Sequence, residues 1–125
     1  TKELAIKDRS GLLSDFKEIY GKLTVTDADW QNLSKIAQNV TPTKVASKET
    51  QANKDFKKIF KRVVKFTNAT EEKFVHMVTY RLRITERDLN KEKVGLAKYI
   101  SVYKAWPKTS KDWAIVRALS YLDVK

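Results

Sequence analysis

The chain has 125 residues, 42% of them apolar and 33% charged, with 3 Gly, 2 Pro and no Cys. That suits one soluble domain able to bury roughly two-thirds of its unfolded surface, leaves too few turn residues for an all-β sandwich, and excludes disulfides, thiolate metal sites and a cysteine nucleophile. Lys and Arg number 26 against 15 Asp and Glu, a formal charge of +11, which attracts nucleic acid, acidic polysaccharide or anionic membrane surfaces.

The first predicted helix spans 3–21. Leu12, Phe16, Ile19, Tyr20 and Leu23 fall at i, i+4, i+7, i+8 and i+11, one apolar stripe of a helix. The stretch TDADW follows. Thr26 and Asp29 have the spacing of a capping box, with Val25 and Trp30 placed as a hydrophobic staple. The second helix therefore starts at 27 and runs to 39, and Trp30, Leu33, Ile36 and Ala37 are expected to face the core. VTPTKVAS, 40–47, is a linker.

A third helix is predicted over 48–65, with Phe56, Ile59, Phe60 and Val63 inward. On its other side Lys54, Lys58, Lys61 and Lys65 recur at i, i+4, i+7 and i+11, flanked by Lys57 and Arg62. Asn68 or Thr67 caps a fourth helix, 70–82, in which Val75 and Val78 point inward. Loop 83–90 leads to Asn90, read as the cap of a fifth helix, 91–104, carrying Leu96, Tyr99, Ile100 and Tyr103. KAWPK then forms a turn, and Thr109 and Asp112 repeat the capping box before a sixth helix, 110–122, with Trp113, Val116 and Leu119 inward.

Thr26–Trp30 and Thr109–Trp113 are the same signal 83 residues apart, each at the same distance after a tyrosine. That spacing is twice a helix-pair repeat, so a middle copy is expected. Phe56, Ile59, Phe60 and Val63 supply it, displaced by 40 from Phe16, Ile19, Tyr20 and Leu23; Glu72 stands where the Trp would be, and Phe74 fills its space. The expected fold is one all-α domain over 1–125. It comprises three repeated helical hairpins, about 3–39, 48–82 and 90–122, as a compact bundle or a short solenoid.

DADWQNLSKIAQN, NKDFKKIFKR, YRLRITERDLNKEK and PKTSKDWAIVRALSY together resemble a helical module of uncharacterised, apparently exported proteins of candidate-phyla bacteria. The resemblance covers about 12–122. Leu82, Arg83, Arg87, Leu89, Asn90 and Glu92 match its connection, and Pro107, Trp113, Ile115, Val116, Arg117, Ala118 and Tyr121 match its last helix. Ile84, Phe60 and Leu119-Ser120 depart from the pattern. It implies an exported or cell-surface location, against a cytoplasmic alternative, and no known activity.

No catalytic set, metal-ligand set or cofactor motif is assembled from one His, no Cys and no phosphate-binding loop. His76 is expected to be packed or partly exposed, and the Glu71-Glu72 pair is explained by the helix dipole. The chain is read as non-enzymatic. Its candidate anionic-ligand site is Lys54, Lys57, Lys58, Lys61, Arg62 and Lys65, with Trp106, Lys104 and Lys108 as a second contact group; the bland alternative is a solvated face. The expected role is binding or assembling on an anionic polymer or surface, an acidic glycan or a nucleic acid. The alternatives are a non-specific nucleic-acid-binding protein and a self-associating structural subunit of a surface layer or filament. No apolar run reaches the ~18 residues of a transmembrane helix.

Overall fold

The computed structural model describes residues 6–22 and 26–124, with side chains from 11 onward. Within them lie six helices: α1 Ile6–Tyr20, α2 Asp27–Ala37, α3 Ala46–Phe60, α4 Ala69–Tyr80, α5 Leu89–Tyr103 and α6 Ser110–Tyr121; the described residues contain no strand. Both capping boxes form. The Asp29 N–H donates to Thr26 Oγ1 and the Thr26 N–H to Asp29 Oδ2, each at 3.1 Å. Thr109 and Asp112 repeat this at 3.1 and 3.2 Å. Asn68 caps α4 by accepting from Thr70 and Glu71. The cap of α5 is Asp88 rather than Asn90: its carboxylate accepts the Asn90 and Lys91 N–H groups. Asp and Asn cap equally well, so the local signal did not separate them. Val25 of the staple and Leu23 lie outside the described residues.

The odd-numbered helices end alike. Each is 15 residues long and closes on an aromatic pair one turn apart: Phe16–Tyr20, Phe56–Phe60 and Tyr99–Tyr103, with ring centroids 4.7, 4.6 and 4.5 Å apart. The next residue, Gly21, Lys61 or Lys104, has φ of 74, 62 or 57°. Its N–H returns to the carbonyl four residues back at 2.7–2.8 Å. This left-handed cap stops the helix and turns the chain toward its partner.

α4 is the centre. Glu71 and the unbroken run Phe74–Tyr80 are buried, because α4 packs against α1, α3 and α6. A helix covered on several sides needs no amphipathic stripe, and with it inside the arrangement is a compact bundle. α5 lies on α6 so closely that a Cβ on Gly95 would meet Ser120 Oγ at 2.0 Å and the Val116 carbonyl at 2.7 Å. Linker 40–45 is tied down at several points. Asn32 Oδ1 accepts from the Thr43 N–H and hydroxyl, Tyr20 donates to the Thr43 carbonyl, and the Val45 N–H donates to the Tyr80 hydroxyl.

Three expectations about the core are corrected. Trp30 is 52% and Trp113 38% exposed, so neither is a buried core residue. On α2 the buried positions are Asp29, Asn32 and Ile36, a helical face that carries two polar side chains because both are hydrogen-bonded, and this rotates Trp30 outward. The third helix ends at Phe60, five residues before the expected end. The turn at Lys61 leaves Val63 69% exposed and buries Val64 in its place.

Candidate polyanion interface

Lys54, Lys57 and Lys58 stand on the solvent side of α3, and all three are exposed. The continuous four-lysine helical stripe is not formed. Lys61 occupies the left-handed cap and Lys65 lies in the loop beyond, so the row bends around the end of α3 instead of following its axis. Both remain exposed. Among the described residues no acidic side chain forms an ion pair with Lys54, Lys57, Lys58, Lys61 or Lys65. From 54 to 65 the chain carries six basic residues and one acid, Asp55. Asp55 is buried and engaged elsewhere, with Lys111 at 3.2 Å and the Tyr103 hydroxyl at 3.0 Å.

Arg62 belongs to a different structure. Its two Nη atoms donate to both oxygens of buried Glu71 at 2.8 and 3.0 Å, and the Lys65 N–H adds a third bond at 2.9 Å. The Arg62 bonds, then the Lys65 N–H, hold the Glu71 carboxyl below its ordinary range. This fork staples the loop after α3 to the first turn of α4. Glu71 is thus more than a dipole-complementing residue, and its spacing from Arg62 across a loop carries no helical periodicity by which to find it.

The second contact group adjoins the first. Lys58 Nζ sits 4.6 Å over the Tyr103 ring, a cation–π contact that links α3 to the end of α5. The half-buried Tyr103 hydroxyl donates to Asp55, and burial first, then Asp55, raises its pKa. Lys104 follows at once, then Trp106, 59% exposed, and Lys108, also exposed, while Pro107 is buried. The Trp106 ring meets Trp113 edge-on, centroids 6.2 Å apart and planes at 79°. Tyr103 thus touches the lysine row, and the two partly exposed indoles follow in the loop and helix after it. Such a surface can hold anions as point charges and present an aromatic ring to a flat group.

His76 is buried, and its neighbours come from three segments. Nδ1 is 3.1 Å from Thr41 Oγ1, and Nε2 is 3.8 Å from Glu49 Oε1. Glu49 Oε2 accepts from the Tyr80 hydroxyl at 2.5 Å. Burial lowers the imidazole pKa, with Glu49 opposing. The cluster fastens linker 40–45 and α3 to α4. Among the described residues no group of three or more His, Cys, Asp or Glu is placed to hold a metal ion, and no helix is long and apolar enough to cross a membrane.

The residues of the 82–92 connection are structural too. Arg83 donates to buried Asp15 at 2.7 Å, and Arg117 Nε donates to the Leu82 carbonyl at 3.1 Å. Arg87 forks onto Glu92, which also accepts from the Tyr121 hydroxyl, while the Asp88 N–H donates to that hydroxyl. Burial and nearby Arg83 lower the Arg117 pKa to about 10. The cluster joins the start of α5 to the end of α6. Set against family models, curated proteins and solved structures, the chain finds no match, so the likeness to the candidate-phyla module rests on the quoted residues.

Proposed function

We propose that the chain is a non-enzymatic module of three repeated helical hairpins that binds anionic polymers or surfaces through the end of α3 and the adjoining α5–α6 loop. One observation carries this reading: five exposed lysines, Lys54, Lys57, Lys58, Lys61 and Lys65, cluster around one helix end without an acidic partner among the described residues. Lysines that neutralise phosphates, sulfates or carboxylates release condensed counterions, so binding is tight at low salt and indifferent to sequence. The resemblance to apparently exported proteins supports an acidic glycan or cell-surface polymer as the natural partner. The exposed indoles of Trp106 and Trp113 favour a second reading, single-stranded nucleic acid, whose bases stack on aromatic faces.

The test replaces Lys54, Lys58, Lys61 and Lys65 together with Glu. Elution from heparin and from single-stranded DNA is then followed against salt. The parent is expected to lose affinity steeply between low and moderate salt, and the variant to lose most binding while its helicity and melting temperature stay close to the parent's. A variant that elutes with the parent overturns the proposal.

A further inference from the structure

A cleft of about 210 Å³ opens where α1, α3, α4 and α6 converge, apart from the lysine row. Glu18, Lys48, Gln51, Thr79, Arg81 and Lys111 line it. We infer that this cleft is a binding site for a small oxyanion, the phosphate or carboxylate group of a compact metabolite, with the Glu18 carboxylate now occupying the anion's place on Arg81.

Arg81 carries the inference. It is buried, and at φ 52° it is the left-handed cap that ends α4. Nη1 donates to the Thr79 carbonyl at 2.6 Å, Nε lies 3.5 Å from Ser110 Oγ, and Nη2 donates to Glu18. A guanidinium withdrawn from water needs an anionic partner. Its partner here is unusual: the Glu18 side chain is 59% exposed, on the outer side of α1, and nothing but Arg81 forms an ion pair with it among the described residues. An exposed carboxylate keeps rotamer freedom and full hydration as an alternative, so an incoming oxyanion can take its place on Arg81.

The remaining lining favours that exchange. Lys48 is exposed at the cleft mouth without an ion-pair partner among the described residues, and Lys111 is shared with Asp55. The lining carries three cations, Arg81, Lys48 and Lys111, and one carboxylate, Glu18. Asp55 offsets Lys111 from outside the lining, so with Glu18 swung out the cleft is left positive and the ligand restores the balance. The first turn of α6, which supplies Lys111, adds the positive end of its dipole. Thr79, buried and lining the cleft, has a hydroxyl with no hydrogen-bond partner among the described residues. Such a group is rare in a fold without a reason.

Backbone amide NMR of the full chain, titrated with inorganic phosphate and with acetate at constant ionic strength against chloride, tests the assignment. Saturable shifts at Thr79, Arg81 and Lys111 are expected with at least one of the two ions. Lys48→Ala should weaken the saturable binding roughly tenfold, as for loss of one charge-assisted contact, and Glu18→Gln should tighten it by removing the resident competitor. The four-Glu variant of the lysine row leaves every lining residue in place and should keep the saturable shifts, weakened only by its reversed charges, which separates this site from the polymer surface. Shifts that grow linearly with both ions, or a dissociation constant unchanged in both Lys48→Ala and Glu18→Gln, overturn the inference. Lys48 is exposed and has no ion-pair partner among the described residues, so Lys48→Ala keeps the test readable even where Glu18→Gln, which removes the partner of buried Arg81, lowers stability.

Discussion

The first and third hairpins begin their second helices with the same Thr-x-x-Asp-Trp box and end their first helices with the same aromatic pair and left-handed cap, yet they close differently. Eight residues before the closing aromatic stand Leu12 in α1, Ala52 in α3 and Gly95 in α5, all buried. Where that position is Gly95, α5 and α6 touch backbone to side chain. Where it is Leu12, the large side chain fills the core itself, and α1 meets α2 over a shorter stretch while also packing on α4. Local signals thus set the turns and caps, while the missing side chain at Gly95 lets α5 and α6 close tightly. This is a packing rule that capping chemistry alone does not contain.

The comparison can be broken at both ends. Leu12→Ala should have the largest effect, about 3 kcal/mol of lost stability from transfer and cavity terms, measured by urea unfolding. A loss under about 1 kcal/mol would mean that α1 is not anchored through this residue. Gly95→Ala comes next, at about 2 kcal/mol, since the added methyl must push Ser120 and the Val116 carbonyl aside. The same substitution at an open helical position would instead stabilise, because alanine is the better helix former. A neutral or stabilising Gly95→Ala therefore sinks the close-approach explanation.

The smallest expected effect sharpens the contrast between the linker tied to α4 and the solvated end of α3. Burial holds the His76 pKa below its ordinary value. The unfolded chain's imidazole takes up a proton near pH ~6.5, before the folded one does, so stability present above that value is lost as pH falls. His76→Gln should flatten this loss between about pH 7 and 5.5, before carboxylates titrate. Denaturation midpoints of parent and variant that fall in parallel over that window would remove His76 from the account.

Much of this was legible beforehand, for identifiable reasons. Thr26, Asp29, Thr109 and Asp112 announce helix starts because capping is a contact between residues three apart. Leu12, Phe16, Ile19, Phe56 and Ile59 lie on stripes that periodicity finds. Trp30 and Trp113 misled because hydrophobicity assigns the inward face, whereas on α2 hydrogen-bonded Asp29 and Asn32 occupy it. Val63 misled because the turn at Lys61 lacks the glycine that usually marks it. The candidate site was half legible. The lysines are where a charge count puts them, but Arg62–Glu71, Lys58–Tyr103 and the Arg81–Glu18 cleft join residues 9, 45 and 63 apart, and no local pattern encodes such pairings.

The left-handed caps at Lys61 and Lys104 place the chain under a trade-off. Glycine takes that conformation freely, while a side chain there is held at a conformational cost of roughly 1 kcal/mol. Gly21 takes the glycine solution at the equivalent turn; the other two turns keep a cation. Thermostabilising the protein by the most direct route, glycine at both positions, would also strip a positive charge from the ends of α3 and α5. Heat tolerance and the proposed polyanion affinity are therefore opposed at these two residues, and variants selected for one should drift away from the other.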